Sequence, residues 1–576
     1  MLERVRRLRD AMARGDDADF EAAVWDLLDS VQSAADLLVA AADTPVDALS
    51  TEPAGRWDGL SGLLGPPAPL VDAEPDQAAL DLGAVLAAAV ARAQARRSGP
   101  VPLATLARLM TPLADLERLS SERAAAIAHR LGAVLPEAAP PGVRIAEELA
   151  TGRPLYGSYE DLQIDVWGPR TGKTTTRAIP AVLDAPGAVL ATSNKRDLVD
   201  ATRTIRERRG PVRVFDPQDL IGEPPAWWWN PLDAAGDLVA ARTLAQVFAD
   251  GVRTANARRD AFFDPAGEEL TACMLLAAAV SDSPIIRVRS WLSRPKDDTP
   301  LRILREAGED RAAESLASAL YAPEKQRLGI YGTAMTHTAC LTGARAAAWV
   351  TPGGGRPRLD LDELLDAGGT LFSVSREGAD PAGPLVTALT VAALETAERR
   401  AARAPLGRLA TPLLGVLDEA ANVCRWRHLP DLYSHYGSRG ICLLTLLQSW
   451  SQGEEAWGAT GMRKLWSAAT VRVYGGGVAE PGFLRMLSEL AGERTAAQFQ
   501  VGHLSQPGTA GARTVTRNEV RLPLLDVAEL AALPPGQVLV LPSGSRPVLA
   551  RAVPWWEGPH AEDVRESLAA GAGGTR

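Results

Sequence analysis

The sequence predicts an α/β protein: a mainly parallel sheet centred on a phosphate-binding loop, with an all-helical insertion and a helical amino-terminal region. Three observations carry this. From residue 156 onward, short apolar runs alternate with helical stretches, the texture of βαβ units. One run enters the turn Gly168-Pro169-Arg170-Thr171-Gly172-Lys173-Thr174-Thr175. Another, Leu413 to Leu417, closes on Asp418-Glu419.

The turn comes first because the chemistry starts there. Gln163 to Trp167 is a short apolar strand, and Thr175 to Leu183 reads as a helix. Backbone N–H groups of a tight turn and of a helix start converge on one spot, where the helix dipole favours an anion. Lys173 would reach terminal phosphates, and the Thr174 hydroxyl would ligate Mg2+. The spacing is irregular. Three residues, not four, separate Gly168 from Gly172. Either the loop is one residue tighter than usual, or Trp167 occupies the position normally held by glycine.

Further strands follow in order: Gly187 to Thr192, Val212 to Phe215, Thr370 to Ser375, Leu413 to Leu417, Ile441 to Leu447, Val471 to Tyr474, Val538 to Leu541 and Val548 to Ala552. In parallel sheets, ligands sit at the carboxyl ends of strands. That makes the polar groups just after these runs the candidates for a site. Asp418 would hold the metal, since Mg2+ takes carboxylate oxygen and water. Glu419 would orient or deprotonate an attacking water. Gln448, at the end of the strand Ile441 to Leu447, would sense the terminal phosphate, although by itself it also reads as a surface residue starting a helix. Arg439, just before that strand, is a candidate for charge donation across a subunit boundary, with Arg376 as a second.

Residues 1–150 read as helical, in Phe20 to Ala41, Gln77 to Arg97 and Leu103 to Leu135, with Leu103, Leu106 and Leu109 at helical spacing. Residues 151–235 form the first part of the core and 356–560 the second. Between them, residues 236–355 read as the helical insertion, with helices at Ala240 to Phe248, Gly267 to Val280, Pro300 to Arg305, Ala312 to Leu320 and around Gln326 to Leu341. Arg253, Arg258 and Arg259 there form a basic cluster or a solvated helix face. Trp227-Trp228-Trp229 cannot all face one side of a regular element; packing is favoured over base stacking. Residues 561–576, Gly-rich at the end, read as a flexible tail.

The composition sets outer limits. The 576 residues are 46% hydrophobic and 23% charged, ordinary globular values. A net charge of -10 argues against a protein coated in nucleic acid but leaves room for a local basic channel. Met1 to Arg14 is charged, so no signal peptide is expected. The longest apolar runs, Gly83 to Ala91 and Thr271 to Ser281, fall short of the roughly 18 residues of a membrane span. Four scattered cysteines suit a reducing cytoplasm. Cys424, His428, His435 and Cys442 match no compact zinc spacing.

The ordered series GPRTGKTT (168–175), TSNKRDL (192–198), VFDP (214–217), WNPL (229–232), GVLDEAANV (415–423) and SRGICLLTLLQSWSQ (438–452) resembles the TraG/TraD-type coupling ATPases of type IV secretion and conjugation, relatives of the FtsK/HerA DNA pumps. The resemblance runs from about Tyr156 to Trp556. It implies a RecA-like P-loop core with the helical domain inserted in it, and ATP with Mg2+ as cofactors. Lys173 and Thr174 would serve phosphate and magnesium, Asp418 magnesium, Glu419 water and Gln448 sensing. It further implies hexamers that pass single-stranded DNA with a relaxase, or a protein substrate, to channel components of a secretion system. The family's amino-terminal membrane hairpin is not seen. The expected location is therefore the cytoplasm, with peripheral recruitment to the inner face of the cell membrane through a separate partner. A soluble FtsK/HerA-like translocase, or a nucleotide-binding platform without turnover, are the alternatives.

Overall fold

The computed structural model describes residues 103–110, 113–253, 260–376, 382–503 and 513–573. The helices read at Phe20 to Ala41 and Gln77 to Arg97, and the arginines at 258 and 259, lie outside them. Among the described residues the strands are β1 (Val143–Glu148), β2 (Pro154–Gly157), β3 (Gln163–Val166), β4 (Val189–Ser193), β5 (Val212–Phe215), β6 (Thr370–Val374), β7 (Leu413–Leu417), β8 (Ile441–Leu447), β9 (Val471–Tyr474), β10 (Glu493–His503), β11 (Arg513–Pro523), β12 (Gln537–Pro542) and β13 (Val548–Arg551). All but β10 and β11 join one sheet in the order β2-β1-β13-β12-β9-β3-β8-β7-β4-β6-β5.

From β9 to β5 every pairing in that sheet is parallel. The β9–β12, β12–β13, β13–β1 and β1–β2 pairings are antiparallel. Every residue of β3, β4, β6, β7 and β8 is buried. Helices on both faces require this, and it is why these strands read as unbroken apolar runs. The order β3-β8-β7 is the feature that matters for the site. It sets the carboxyl ends of the phosphate-loop strand, the Gln448 strand and the Asp-Glu strand side by side.

The helical insertion lies between β5 and β6. Its centre is the helix Phe263–Val280, whose stretch from Leu270 to Ala278 is buried. Helices Leu238–Val252 and Glu324–His337 pack on it. The Trp triplet joins insertion to core. Trp227 and Trp229 point inward and meet Phe215, at the end of β5, with ring centroids 6.0 and 6.4 Å away. Trp349 closes the cluster, 5.1 Å from Trp227. Trp228 faces outward beneath the Arg358 guanidinium, 5.7 Å from its ring centre. Packing, rather than base stacking, accounts for all three. Arg253 pairs with Asp250 at 3.3 Å and with Glu268, so its charge is internally matched.

His337 ends the helix Glu324–His337 and is buried. Burial lowers its pKa to about 4, and Arg253 adds to the effect while Glu268 and Asp264 oppose it. The folded state therefore holds the ring neutral, whereas an unfolded chain takes up a proton below about 6.5. Stability from this group is complete above pH 6.5 and falls away as pH drops toward 4. Between pH 7 and pH 5 the loss is ~2 kcal/mol at 1.36 kcal/mol per unit. Urea melts at both pH values should show it, and His337→Gln should flatten the difference.

Several sequence expectations change. Residues 143–157, assigned mostly to the helical region, form the β1–β2 hairpin. Three charges in Val-Arg-Ile-Ala-Glu-Glu hide an edge-side strand from an apolar-run reading. Leu109 is exposed, because the helix Leu103–Met110 buries Leu106, Ala107 and Met110 instead. Helices Ile286–Leu292 and Ala344–Val350 complete the insertion. The presumed tail is the helix Ala561–Gly573, which packs on Asp197–Glu207. There Val564 is fully buried, and Ser567 Oγ donates to the Asp200 carbonyl at 2.6 Å. β10 and β11 form a long separate ribbon, in register from Glu493↔Pro523 to His503↔Arg513. No described helix is long and apolar enough to cross a membrane.

Candidate active site

The phosphate loop is built from what surrounds it. Trp167 does not enter the turn: its N–H donates to Leu447 O at 2.9 Å, continuing the β3–β8 ladder. Its ring is fully buried and lies on Gly475, where a Cβ would come within 2.0 Å of it. The turn begins at Gly168, whose N–H donates to Gly476 O at 2.8 Å. A Cβ on Gly168 would meet the Gly477 carbonyl oxygen at 2.0 Å. The loop is thus one residue tighter than usual, and the glycines after β9 make the room for it. Arg170 and Gly172 take positive φ values of 61° and 95°, and Thr171 Oγ1 closes the turn on Gly168 O at 2.6 Å. The helix begins with a π turn, Thr174–Ala178, and continues as Ile179–Asp184.

Lys173, Thr174, Asp418, Glu419 and Gln448 come together. Lys173 Nζ lies 3.0 Å from Asp418 Oδ1 and pairs with Glu419 Oε1. Thr174 Oγ1 donates to Asp418 Oδ2 at 3.1 Å. Gln448 Nε2 donates to Glu419 Oε1 at 2.8 Å. Burial works against the Lys173 ammonium, but the Asp418 and Glu419 carboxylates outweigh it and hold its pKa above the ordinary lysine value. Glu419 is in the left-handed region, φ 55°, ψ 41°, an uncommon conformation for a residue with a Cβ and one that concentrates at functional sites. Its Oε2 is buried without a hydrogen-bond partner, leaving one acceptor for a water or a ligand. The carbonyl of Asp418 accepts from Thr192 Oγ1 at 2.9 Å, which ties β7 to β4.

Gly168 to Thr175 surround this cluster, with Pro169 and Arg170 exposed at the tip. Arg439 is not part of it. It precedes β8, at the opposite edge of the sheet, and pairs with Glu398. The seven residues of β8, which alone span roughly 23 Å at 3.3 Å per residue, lie between it and Gln448. Arg376 stands at the carboxyl edge, after β6, and is exposed.

Sequence reasoning missed what lies beneath the loop. Arg177 and Asp165 are both buried; Arg177 Nε meets Asp165 Oδ2 at 2.7 Å. Arg177 also donates to Gln163 Oε1 at 2.7 Å and to the Arg144 carbonyl at 2.6 Å. Trp167 Nε1 donates to Asp165 at 3.3 Å. This network ties the phosphate helix to β3 and β1. Asp165 inside an apolar strand, and Arg177 one turn into the helix, were its sequence signals.

A tight Gly-Lys-Thr loop at a strand end, facing Asp-Glu on a nearby strand of a mostly parallel sheet, is the arrangement of the RecA-like P-loop fold. Residues 412–535 match the family described as the TraM recognition site of TraD and TraG. The match covers that segment of the chain, in which GVLDEAANV and SRGICLLTLLQSWSQ lie. Among solved structures, an unbound form of the bacterial conjugative coupling protein TrwB is 18% identical, with a TM-score of 0.52 over 74% of this chain and 91% of that one. A sulphate-bound form is 15% identical, with a TM-score of 0.51 over 76% and 93%. The plasmid coupling protein TrwB in complex with ADP and Mg2+ is 16% identical, with a TM-score of 0.50 over 69% and 85%. At such identities the likeness is one of fold. No curated protein matches the chain.

Proposed function

We propose that the protein is an ATP-driven coupling protein of a conjugative or type IV secretion system. It would recruit single-stranded DNA with a relaxase, or a protein substrate, and pass it to the channel as a homo-hexamer. One observation carries the nucleotide half of this reading: the cluster of Lys173, Thr174, Asp418, Glu419 and Gln448 at the carboxyl edge. The family match over residues 412–535 directs it to coupling, as do the conjugative roles named for the TrwB structures. Contact with the membrane would run through a separate partner.

The residues fit a magnesium nucleotide. Thr174 Oγ1 and Asp418 offer the oxygens Mg2+ prefers, and Lys173 is a buried cation whose partners would yield to phosphate oxygens. Thr174 Oγ1 and Asp418 would hold Mg2+, which would supply neutralisation of phosphate charge. Loop N–H groups hold the phosphate chain. Lys173 moves from Glu419 toward the terminal phosphate and thereby frees the carboxylate. Glu419 then orients a water and takes its proton. Gln448, bonded to Glu419 and placed at the start of the helix Trp450–Ala468, passes the change to that helix. For a cross-subunit arginine, the edge position of Arg376 supports it over Arg439. Steady-state ATP hydrolysis, with and without single-stranded DNA, tests the proposal; its expected form closes the Discussion.

A further inference from the structure

The β10–β11 ribbon has no part in the nucleotide cluster. Each of its strands has 11 residues, roughly 36 Å at 3.3 Å per residue. Its base is fixed: Leu524 N–H donates to Gly492 O at 2.9 Å, and Ser488 Oγ donates to Leu525 O at 2.6 Å. It pairs with no other described strand. Two-stranded ribbons are marginal in water by themselves, so a ligand laid along this one would stabilise it.

The register sorts the ribbon's residues onto two faces, because directly paired residues share a face and neighbours along a strand alternate. One face holds Arg513, Arg517 and Arg521 of β11, paired with His503, Phe499 and Thr495 of β10. The other pairs Thr516 and Asn518 with Gln500 and Gln498, and Arg494 is its one charge. Three of the ribbon's four arginines therefore share a face with its single phenylalanine and single histidine. Glu519 and Glu493 lie on that face too, yet the ribbon keeps four arginines against two glutamates in a chain of net charge -10. Charges that only kept strand edges apart would need no preferred face. The pairs also repeat. His503↔Arg513 and Phe499↔Arg517 each match a ring-bearing residue with an arginine, four positions apart, or roughly 13 Å. Arg521 repeats the cation once more, and it is exposed. A repeating row of cation and ring suits a polymer that itself repeats charge and ring. Single-stranded nucleic acid is such a polymer, with phosphates for the arginines and bases that stack on aromatic rings. An acidic peptide offers the charge without the bases, and a duplex keeps its bases stacked on one another.

We propose that the face of the ribbon carrying Arg513, Arg517, Arg521 and Phe499 binds single-stranded nucleic acid along its length. The arginines take phosphates, and Phe499 takes a base. The inference rests on the coupling reading above; of the two cargoes left open there, it names the nucleic acid and the surface that holds it.

The test reads charge and stacking separately. Binding of a labelled oligo-dT to the full chain is followed by fluorescence anisotropy over a salt series, beside a duplex of equal length and poly-glutamate. Each phosphate contact on a single strand contributes about 0.7 to the slope of log affinity against log salt. The triple variant Arg513→Gln, Arg517→Gln, Arg521→Gln should therefore bind oligo-dT more weakly, with a slope shallower by about 2. Arg494→Gln, on the other face, should keep the wild-type slope. Phe499→Ala should weaken oligo-dT about 5- to 150-fold, the range of one base–aromatic stack, at an unchanged slope. Phe499→Trp should retain the affinity. A wild-type slope in the triple variant, no loss in Phe499→Ala, or duplex or poly-glutamate held as tightly as oligo-dT would overturn the ribbon site. In those cases oligo-dT binding by the wild type would leave the coupling reading standing. No binding of oligo-dT by the wild type would overturn the ribbon site and the nucleic-acid half of that reading together. ATP binding by each variant checks its fold. Should the triple variant fail that check, Arg517→Gln alone carries the comparison, with a slope shallower by about 0.7.

Discussion

Replacing Glu419 by glutamine is expected to reduce ATP turnover about 100-fold or more while leaving nucleotide binding intact or tighter. The carboxylate has two roles in the geometry. Through Oε1 it pairs with Lys173 and accepts from Gln448; through its unpartnered Oε2 it can take a proton from water. The amide keeps the shape but removes the base, and positioned bases contribute roughly 10²- to 10⁴-fold. It also removes a charge that competes with phosphate for Lys173, which is why affinity should hold or rise. Lys173→Ala should behave differently and lose binding and turnover together. It leaves Asp418 and Glu419 side by side and buried without their cation, and losing one partner of a buried charge pair costs about 2–5 kcal/mol. Equilibrium nucleotide binding run beside steady-state turnover separates the two variants. Equal binding losses in both would mean that Glu419 serves the ground state and not the chemistry.

The largest stability effect is expected under the loop. Asp165→Ala should destabilise the protein by about 3–5 kcal/mol, because Arg177 would remain buried without its counter-charge, its other acceptors being neutral. Their Nε–Oδ2 contact is 2.7 Å, and both side chains are at most 1% exposed. Exchanging both together, Asp165→Leu with Arg177→Met, should restore much of the loss, since apolar replacement of a buried pair is often neutral or stabilising. Denaturant melts of the single and double variants decide it. The double variant should still bind nucleotide less well, because Arg177 also anchors the phosphate helix to the β1 carbonyl of Arg144. A single variant as stable as the wild type would show that the pair does not hold the loop.

How much of this was legible depended on burial. Strands β7 and β8 were read to their end residues because strands buried on both faces are continuous apolar runs; β5 and β9 were read to theirs as well, although each carries one partly buried arginine, Arg213 and Arg472. β1 and the β10–β11 ribbon were not, since neither sits between two helical layers. The site clustered as expected wherever a residue followed a strand: Lys173 and Thr174 after β3, Asp418 and Glu419 after β7, Gln448 after β8. Arg439 shows the limit of proximity in sequence. It lies nine positions before Gln448, and the seven-residue strand β8 lies between them, so it ends at the other edge. The irregular loop left two alternatives open, and Gly475, Gly476 and Gly477 decide between them. They lie some 300 residues away, just after β9, a strand that only the sheet order brings beside β3. The Arg177–Asp165 pair is likewise a property of the packed helix, not of either segment.

The central claim is that this cluster turns over ATP within an assembled ring that acts on a polymer. The most direct measurement is ATP hydrolysis by the purified protein, with and without single-stranded DNA, over concentrations that span assembly. The account predicts turnover that rises more steeply than protein concentration, is stimulated by the DNA, and vanishes in Glu419→Gln. Tight nucleotide binding with no turnover at any concentration, with DNA or without it, would contradict the account and leave a recruitment platform in its place.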